Sequence, residues 1–417
     1  MKTETNKLTP KIRFPEFKSD GEWEYLNGNE LFEPVSNKNH NSDLPILAIT
    51  QEQGAIPRDM INYHISVTEK SIESYKVVEA GDFIISLRSF QGGIEHSNFK
   101  GLCSPAYIIL RKRLDILNDF YRHYFKSVPF IRDLNRNLEG IRDGKMVSYQ
   151  QFSEILIPKP TKKEQNKIAD CFLSLDKLIE VQNKKLELLK DHRKGLMQNL
   201  FPQEGEKVPK LRFKEFKGEW REKKISELGK TINGLTGKSG EDFGTGKPYV
   251  TYKQVFDNAW IDFSKCGFVL INENENQNKI QKGDILFTTS SETPNEVGFA
   301  SVVLEQPKED TYLNSFCFAF RPNNLKNLHP EFSRYLFHSS AYRKVVSILA
   351  QGSTRFNISK SSFLDLEISI PELIEQKKIA SCLSALDEII TTQVEKIEEL
   401  KLHKKGLIQG LFPKMND

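Results

Sequence analysis

A duplicated, heptad-spaced segment constrains this chain more than any other feature it has. The stretch that begins Glu164-Gln-Asn-Lys-Ile-Ala and runs to Gly195-Leu-Met-Gln-Asn-Leu-Phe-Pro202 returns without a gap. Displaced by 211 positions, it runs from Glu375-Gln-Lys-Lys-Ile-Ala to Gly406-Leu-Ile-Gln-Gly-Leu-Phe-Pro413. In the first copy Ile168, Phe172, Leu175, Ile179, Gln182, Leu186, Leu189, Arg193, Leu196 and Leu200 are spaced alternately by four and three. The second copy repeats the series as Ile379, Leu383, Leu386, Ile390, Gln393, Ile397, Leu400, Lys404, Leu407 and Leu411. A sustained period of 3.5 is the mark of a coiled-coil seam. Its two polar interruptions recur in register (Gln182 with Gln393, Arg193 with Lys404), and polar seam residues set register at some cost in stability. At about 1.5 Å per residue each copy is a rod of roughly 55 Å. Pro158 and Pro160 precede the first rod, Pro371 precedes the second, and Phe-Pro pairs close both. An ordinary bundle of long amphipathic helices is the plainer alternative. It does not require the copying of exposed positions such as Lys194-Gly195 and Lys405-Gly406.

A second echo opens each half. Pro10-Lys-Ile-Arg-Phe-Pro-Glu-Phe17 matches Pro209-Lys-Leu-Arg-Phe-Lys-Glu-Phe216, displaced by only 199 positions, so the intervening stretches differ in length. Those stretches change to short β-like runs: Leu44–Thr50, Asp82–Ser86 and Ala106–Leu110 in one, Pro248–Tyr252, Asp284–Thr288 and Ser315–Phe320 in the other. Gly81-Asp82 and Gly283-Asp284 each lead into a strand through a turn. The expected fold is α+β, with two pseudo-symmetric α/β domains separated by two long helices that form an antiparallel coiled coil. The expected boundaries are a first body over 1–160, a central helix over 161–202, a second body over 203–370 and a C-terminal helix over 371–417. If a two-fold axis relates the halves, the bodies stand at opposite ends of the rods.

Composition bounds the function classes. A chain of 417 residues fits two bodies plus connecting helices. Its 60 basic residues against 56 acidic ones leave a net charge of only +4, so any nucleic-acid surface has to be a local patch. The N-terminal MKTETNKLTPK has no apolar core and no run of about 18 apolar residues occurs, so neither export nor membrane insertion is expected. Five widely spaced cysteines without a CxxC pair suit reduced thiols better than disulfides or zinc. Motifs for catalysis are missing too. Gly234-Leu-Thr-Gly-Lys-Ser239 resembles the end of a phosphate loop, but Ile232 stands where the first glycine belongs. GxGxxG, HExxH, GxSxG and the Asn/Asp-Pro-Pro-Tyr/Phe run of amino-methyltransferases do not occur. The chain alone is therefore expected to be no enzyme and to hold no metal.

The duplicated Glu-Gln…Ile-Ala…Leu-Asp…Gly-Leu…Leu-Phe-Pro helices, the Pro-Lys-Ile/Leu-Arg-Phe openings, the Gly-Asp turns and Gly352-Ser-Thr-Arg-Phe-Asn-Ile-Ser359 together resemble the specificity (S) subunits of type I restriction–modification enzymes. The resemblance spans essentially the whole chain. It implies two target-recognition domains, each reading half of an asymmetric bipartite site on double-stranded DNA. It also implies a coiled coil that sets half-site spacing and docks two methyltransferase (M) subunits, with restriction (R) subunits joining the complex. Adenine methylation and ATP-dependent cleavage then belong to the partners. S-adenosylmethionine goes with M and ATP with magnesium goes with R, leaving no cofactor for this chain. A bacterial cytoplasmic location follows from the same likeness. The first body departs from the family pattern where Gly140-Ile-Arg-Asp-Gly-Lys145 replaces the Gly-Ser/Thr loop.

Base discrimination needs bidentate groups, Arg or Lys for guanine and Asn or Gln for adenine. The polar loop residues chosen as DNA-binding candidates are Gln51, Arg58, Arg88, Gln91, Arg142 and Lys145 in the first body. In the second they are Lys238, Lys253, Gln254, Thr289, Ser291, Thr354 and Arg355. For each, a solvated loop charge or a phosphate contact that positions without specifying is the bland alternative. The apolar seam residues complete the candidate set: Ile168, Phe172, Leu175, Ile179, Leu186 and Leu189, then Ile379, Leu383, Leu386, Ile390, Ile397 and Leu400. Two other readings stay open, a coiled-coil adaptor whose bodies bind proteins and an enzyme with an unfamiliar site. Half-sites about one turn of DNA apart, roughly 34 Å, would face the same side of the duplex.

Overall fold

The computed structural model describes residues 9–41, 43–61, 72–136, 147–352 and 354–413. Each body is organised on a four-stranded antiparallel sheet. In the first, β1 (Phe32–Val35), β2 (Phe83–Ile85), β3 (Glu95–His96) and β4 (Ile108–Lys112) lie in the order β1-β4-β2-β3. In the second, β5 (Gly229–Asn233), β6 (Ile285–Thr288), β7 (Ala300–Val302) and β8 (Cys317–Pro322) repeat it as β5-β8-β6-β7. A smaller antiparallel pair joins the start of each body to its end: Glu24–Asn27 with Leu156–Lys159, and Arg221–Lys224 with Glu367–Ile370. Two bodies of unequal sequence therefore share one topology.

The Gly-Asp turns repeat for a mechanical reason. The Asp82 carboxylate accepts from the Glu79 amide at 2.8 Å and from Arg111 Nε and Nη2 at 2.8 and 2.7 Å. Asp284 accepts from the Gln281 amide at 2.9 Å and from Arg321 Nε and Nη2, both at 2.7 Å. Each aspartate thus closes its own turn and pins the neighbouring strand through a bidentate charge-assisted pair. The preceding glycines have φ of 99° (Gly81) and 89° (Gly283), a left-handed conformation costly for any other residue.

The long helices are α1 (Lys162–Asn199) and α2 (Leu373–Leu411), of 38 and 39 residues. The chain divides into two compact units, one of Met1–Lys184 with Glu395–Asp417 and one of Lys185–Val394. Each unit accordingly holds one body, the start of one long helix and the end of the other. In the first, Ile168 and Phe172 of α1 join Leu411 and Phe412 in the core around Phe32, Phe83 and Phe120. The Phe172 and Phe412 rings stack 6.0 Å apart. In the second, Leu200 and Phe201 join Ile379, Ala380 and Leu383 of α2, and Phe201 stacks on Phe332 at 5.7 Å. Within each unit the helix segments therefore run antiparallel, and the Phe-Pro ends plug the core of a body.

Ile168, Phe172, Ile379, Leu383, Leu386 and Ile397 are buried, and Leu175, Ile179, Leu186, Leu189, Ile390 and Leu400 are half-buried. The polar interruptions have partners. Arg193 Nε donates to Asp387 in one unit and Lys404 donates to Asp176 in the other, equivalent pairs under the 211-residue displacement. The openings are hooks as well. Arg13 donates to Glu164 at 2.7 and 2.8 Å, joined by the Trp23 indole at 3.0 Å. Arg212 donates to Glu375, twice at 2.8 Å, joined by Trp220 at 3.3 Å. Hydrogen bonding to these carboxylates, against the opposing effect of burial, holds both guanidiniums above their usual pKa. The neighbouring glutamines, Gln165 and Gln376, bond Pro160 O and Pro371 O at 2.8 and 2.9 Å and accept from the Leu117 and His329 amides. The Glu-Gln pair that starts each rod is thus a buried socket for its body.

Candidate nucleic-acid interface

In the first body a hairpin, Leu47–Thr50 with Gly54–Pro57, faces the loop that follows β2. Its turn is held by Thr50, whose Oγ1 donates to Gly54 O at 3.0 Å and accepts from the Gln53 amide at 3.1 Å. The opposite loop is fixed by Ser89, whose Oγ accepts from the Ser86 amide at 2.8 Å. Between them lies an open cleft of about 550 Å³, lined by Gln51, Arg58, Arg88 and Tyr107 among others. Gln91 lies on the short turn Ser89–Gly92, and the Gln51 side chain packs so close that a Cβ on Gly92 would sit 2.6 Å from it. Arg58 Nη1 is buried without a hydrogen-bond partner. Burial raises the Tyr107 phenol pKa, and the Arg58 and Arg88 guanidiniums oppose that rise. Three of the predicted residues therefore share one polar cleft with Gln91 beside it. Arg142 and Lys145 lie outside the described residues.

Glu52 and Glu95 also line the cleft. Burial raises the Glu95 pKa and its ion pair with Lys126 opposes the rise. Acidic groups in a cleft for DNA exclude phosphate from their side and leave base edges, which carry donors, as the better match.

The second body brings Thr289, Ser291, Thr354 and Arg355 together at the same topological address, the end of β6. Ser290–Ser291 pairs antiparallel with Phe356–Asn357, the Ile358 amide donates to Thr289 O at 3.0 Å, and the Thr289 amide donates to Phe316 O at 2.9 Å. Gly352, at φ 138°, permits this return: a Cβ there would lie 2.1 Å from Arg355 O. Tyr252 Oη donates to Ser290 O at 2.6 Å and so seats the helix Tyr252–Asp257, on which Lys253 is exposed. Thr354 and Arg355 are exposed, whereas Ser291 is buried and donates to Glu296 at 2.9 Å.

Two residues predicted for DNA have other occupations. Gln254 is buried, with Nε2 donating to Lys265 O at 3.2 Å and Oε1 accepting from the Asp262 amide at 2.9 Å. Its amide braces a turn and is spent inside the body, so it presents no free edge to a base. The Lys238 side chain is 3% exposed, with Nζ 2.6 Å from Glu275 and 3.9 Å from Asp242. It neutralises those carboxylates and is a loop-fixing cation. Sequence reasoning passed over Tyr107, Tyr252 and Phe316. The available signal was an aromatic just before, or just after, the strands that carry the other candidates. Among the described residues no cluster of three or more His, Cys, Asp or Glu is arranged to hold a metal ion. The cysteines are free, and burial pushes the Cys103 thiol up to about 12 and Cys317 higher still.

No helix among the described residues is long and apolar enough to cross a membrane. A family model described as "Type I restriction modification DNA specificity domain" matches residues 21–191 and again 217–402. The type I restriction enzyme MjaVIII specificity subunit of Methanocaldococcus jannaschii is 23% identical over 96% of this chain and 93% of that protein. The StySPI specificity subunit of Salmonella potsdam is 31% identical over 37% of this chain and 33% of its own length. Among solved structures, a chain from work described as "Structural basis underlying complex assembly and conformational transition of the type I R-M system" superposes with a TM-score of 0.60. It is 16% identical and covers 94% of this chain and 97% of its own. The type I S subunit from M. genitalium superposes at 0.52, 16% identical, covering 98% and 100%. With both bodies and both long helices matched, the chain belongs to the type I restriction–modification specificity subunits, the non-catalytic components that give such a system its DNA sequence specificity.

Proposed function

We propose that this chain reads an asymmetric bipartite site on double-stranded DNA, one half-site per body, and directs two M subunits to methylate adenine there. R subunits joining the same complex would cleave unmodified DNA at the expense of ATP, in a bacterial cytoplasm. S-adenosylmethionine and ATP with magnesium are assigned to the partners. The functional modules are the recognition domains over 1–160 and 203–370 and the helices over 161–202 and 371–417. One observation carries the reading: two bodies of one topology present different polar side chains at the same strand end. The reading groups are Gln51, Arg58, Arg88 and Gln91 in the first body, with Arg142 and Lys145 kept as candidates. Thr289, Thr354, Arg355 and Lys253 serve in the second. Partner docking is supported by features that packing within the chain does not use. Leu173, Leu188, Ile374 and Leu402 are exposed apolar residues of the long helices. Gly195 and Gly406, equivalent in the two copies, would admit a Cβ with nothing within 4 Å.

The test is to map methylated adenines in DNA from cells that carry the chain with its partners, then exchange residues 10–158 for another such body. One half-site should change and the other persist. A change in both halves, or methylation at a single continuous tract, removes the modular reading.

A further inference from the structure

Phe316 sits in the turn before β8, with its ring 55% exposed. A lone exposed aromatic is ordinary. This one is held out by a rigid frame. The Phe316 amide donates to Asn314 Oδ1 at 2.9 Å, the Asn314 amide to Val250 O at 3.0 Å and the Cys317 amide to Asn314 O at 3.0 Å. Gly234 lets the turn approach the sheet, because a Cβ there would meet Asn314 O at 2.1 Å. The neighbours on β8, Cys317 and Phe318, are buried, so the chain places one apolar ring outward beside others that point in.

Its company is the second observation. The Arg355 guanidinium lies 5.8 Å from the ring centroid, and Phe316 O accepts from the Thr289 amide, so the ring stands within the cluster argued above. The equivalent turn of the first body also faces its cleft, through Ser104 and Tyr107. Aligning Arg111 with Arg321, the two strand-pinning arginines, puts Ala106 where Phe316 stands. The first body therefore has a methyl group at this point and the second has a ring.

We propose that Phe316 is a wedge that stacks into a base step of the second half-site, with the Arg355 guanidinium beside it. The proposal rests on the DNA-reading function above and adds a mode of reading to it. Apolar side chains inserted between base pairs unstack and kink DNA, and a flexible pyrimidine–purine step costs least to open. The second half-site would thus be selected partly by deformability and the first by base edges alone.

The experiment uses the full chain with its M subunits on the mapped site, with 2-aminopurine placed in turn at each position of the second half-site. Wild type should brighten the probe at one step. F316A should abolish that signal and weaken binding about tenfold, the scale of a lost base–aromatic stack, while F316W keeps both. First-half-site preference should be the same in all three. If wild type binds the bipartite site without brightening any probe, and F316A binds within about twofold of it, the wedge is wrong and the reading survives. If the wild-type complex shows no site-specific binding, both fall.

Discussion

At the residue scale the two units differ where they would be expected to match. Asp387 is held by Arg193, by Arg334 at 2.7 Å and by Tyr335 Oη at 2.9 Å. Its equivalent, Asp176, receives Lys404, but His123 stands where Tyr335 does and its Nε2 stops 3.8 Å away, with no hydrogen bond. Burial against Phe172, helped by Lys404, Arg122 and His96, lowers the His123 pKa to about 2, and burial likewise lowers His96 to about 4. The sign follows directly. Both histidines are neutral when folded and charge more readily when unfolded, so their contribution is full above about pH 6.5 and lost as pH falls towards the folded values. His123→Tyr should supply the missing donor to Asp176 and remove one of these liabilities. We expect it to be about 1 kcal/mol more stable than wild type at pH 7.5, the net worth of one hydrogen bond. That margin should widen by a further 1–2 kcal/mol, roughly, between pH 6.5 and 5. Urea denaturation at three pH values measures it, and a constant margin would rule out His123 as the titrating group. None of this was legible in the sequence: His123 is one of eight scattered histidines, and its importance comes from a helix that sets it against a seam aspartate 53 residues on (123 to 176).

At the element scale the seam was the legible part, because a period of 3.5 over ten positions has no counterpart in strands or loops. Its polar interruptions were legible as positions but not as pairs, since the aspartates that answer Arg193 and Lys404 lie on the other helix. The bodies were legible in outline only. Gly-Asp signalled the turn before β2 and β6, but the arginine that each aspartate grips lies 29 or 37 residues further on. Gln254 shows the limit: a glutamine in a loop-rich stretch reads as available for a base until the fold places it inside. The helices also make the spacing of half-sites testable. Seven residues inserted into both α1 and α2 preserve the seam and add about 10 Å, roughly three base pairs of rise. The methylated positions should move apart by that amount with both half-site sequences kept. Insertion of four residues breaks the heptad phase and should destabilise the protein instead. An unchanged spacer in the seven-residue variant would show that the helices do not set it.

At the scale of the whole molecule, the two units are assembled the same way from differently connected pieces. The Leu211 amide donates to Asn199 O at 2.9 Å, which latches the second opening onto the end of α1 only a short loop earlier in the chain. The Ile12 amide donates to Gly410 O at 2.8 Å, which latches the first opening onto the end of α2, although almost the whole chain lies between them. Gly410 is needed for the contact, as a Cβ there would meet Ile12 at 2.4 Å. A covalent link at one latch and none at the other means that connection is not what holds an opening in place. The hooks Arg13–Glu164 and Arg212–Glu375 do that equally in both units. A circular permutant should therefore fold: Pro413 joined to Pro10 through a short flexible linker, and the chain opened between Gly205 and Glu206. Opening there leaves the Arg212 hook whole and puts at risk the Lys344–Glu204 and Lys207–Glu222 ion pairs, exposed contacts worth about 0–1 kcal/mol each. We expect the melting temperature to fall by no more than about 5 °C. The methylated site should be unchanged, since both bodies keep their own segments. A permutant that folds but methylates a different site would mean that the order of the bodies along the chain, and not their place on the helices, determines what is read.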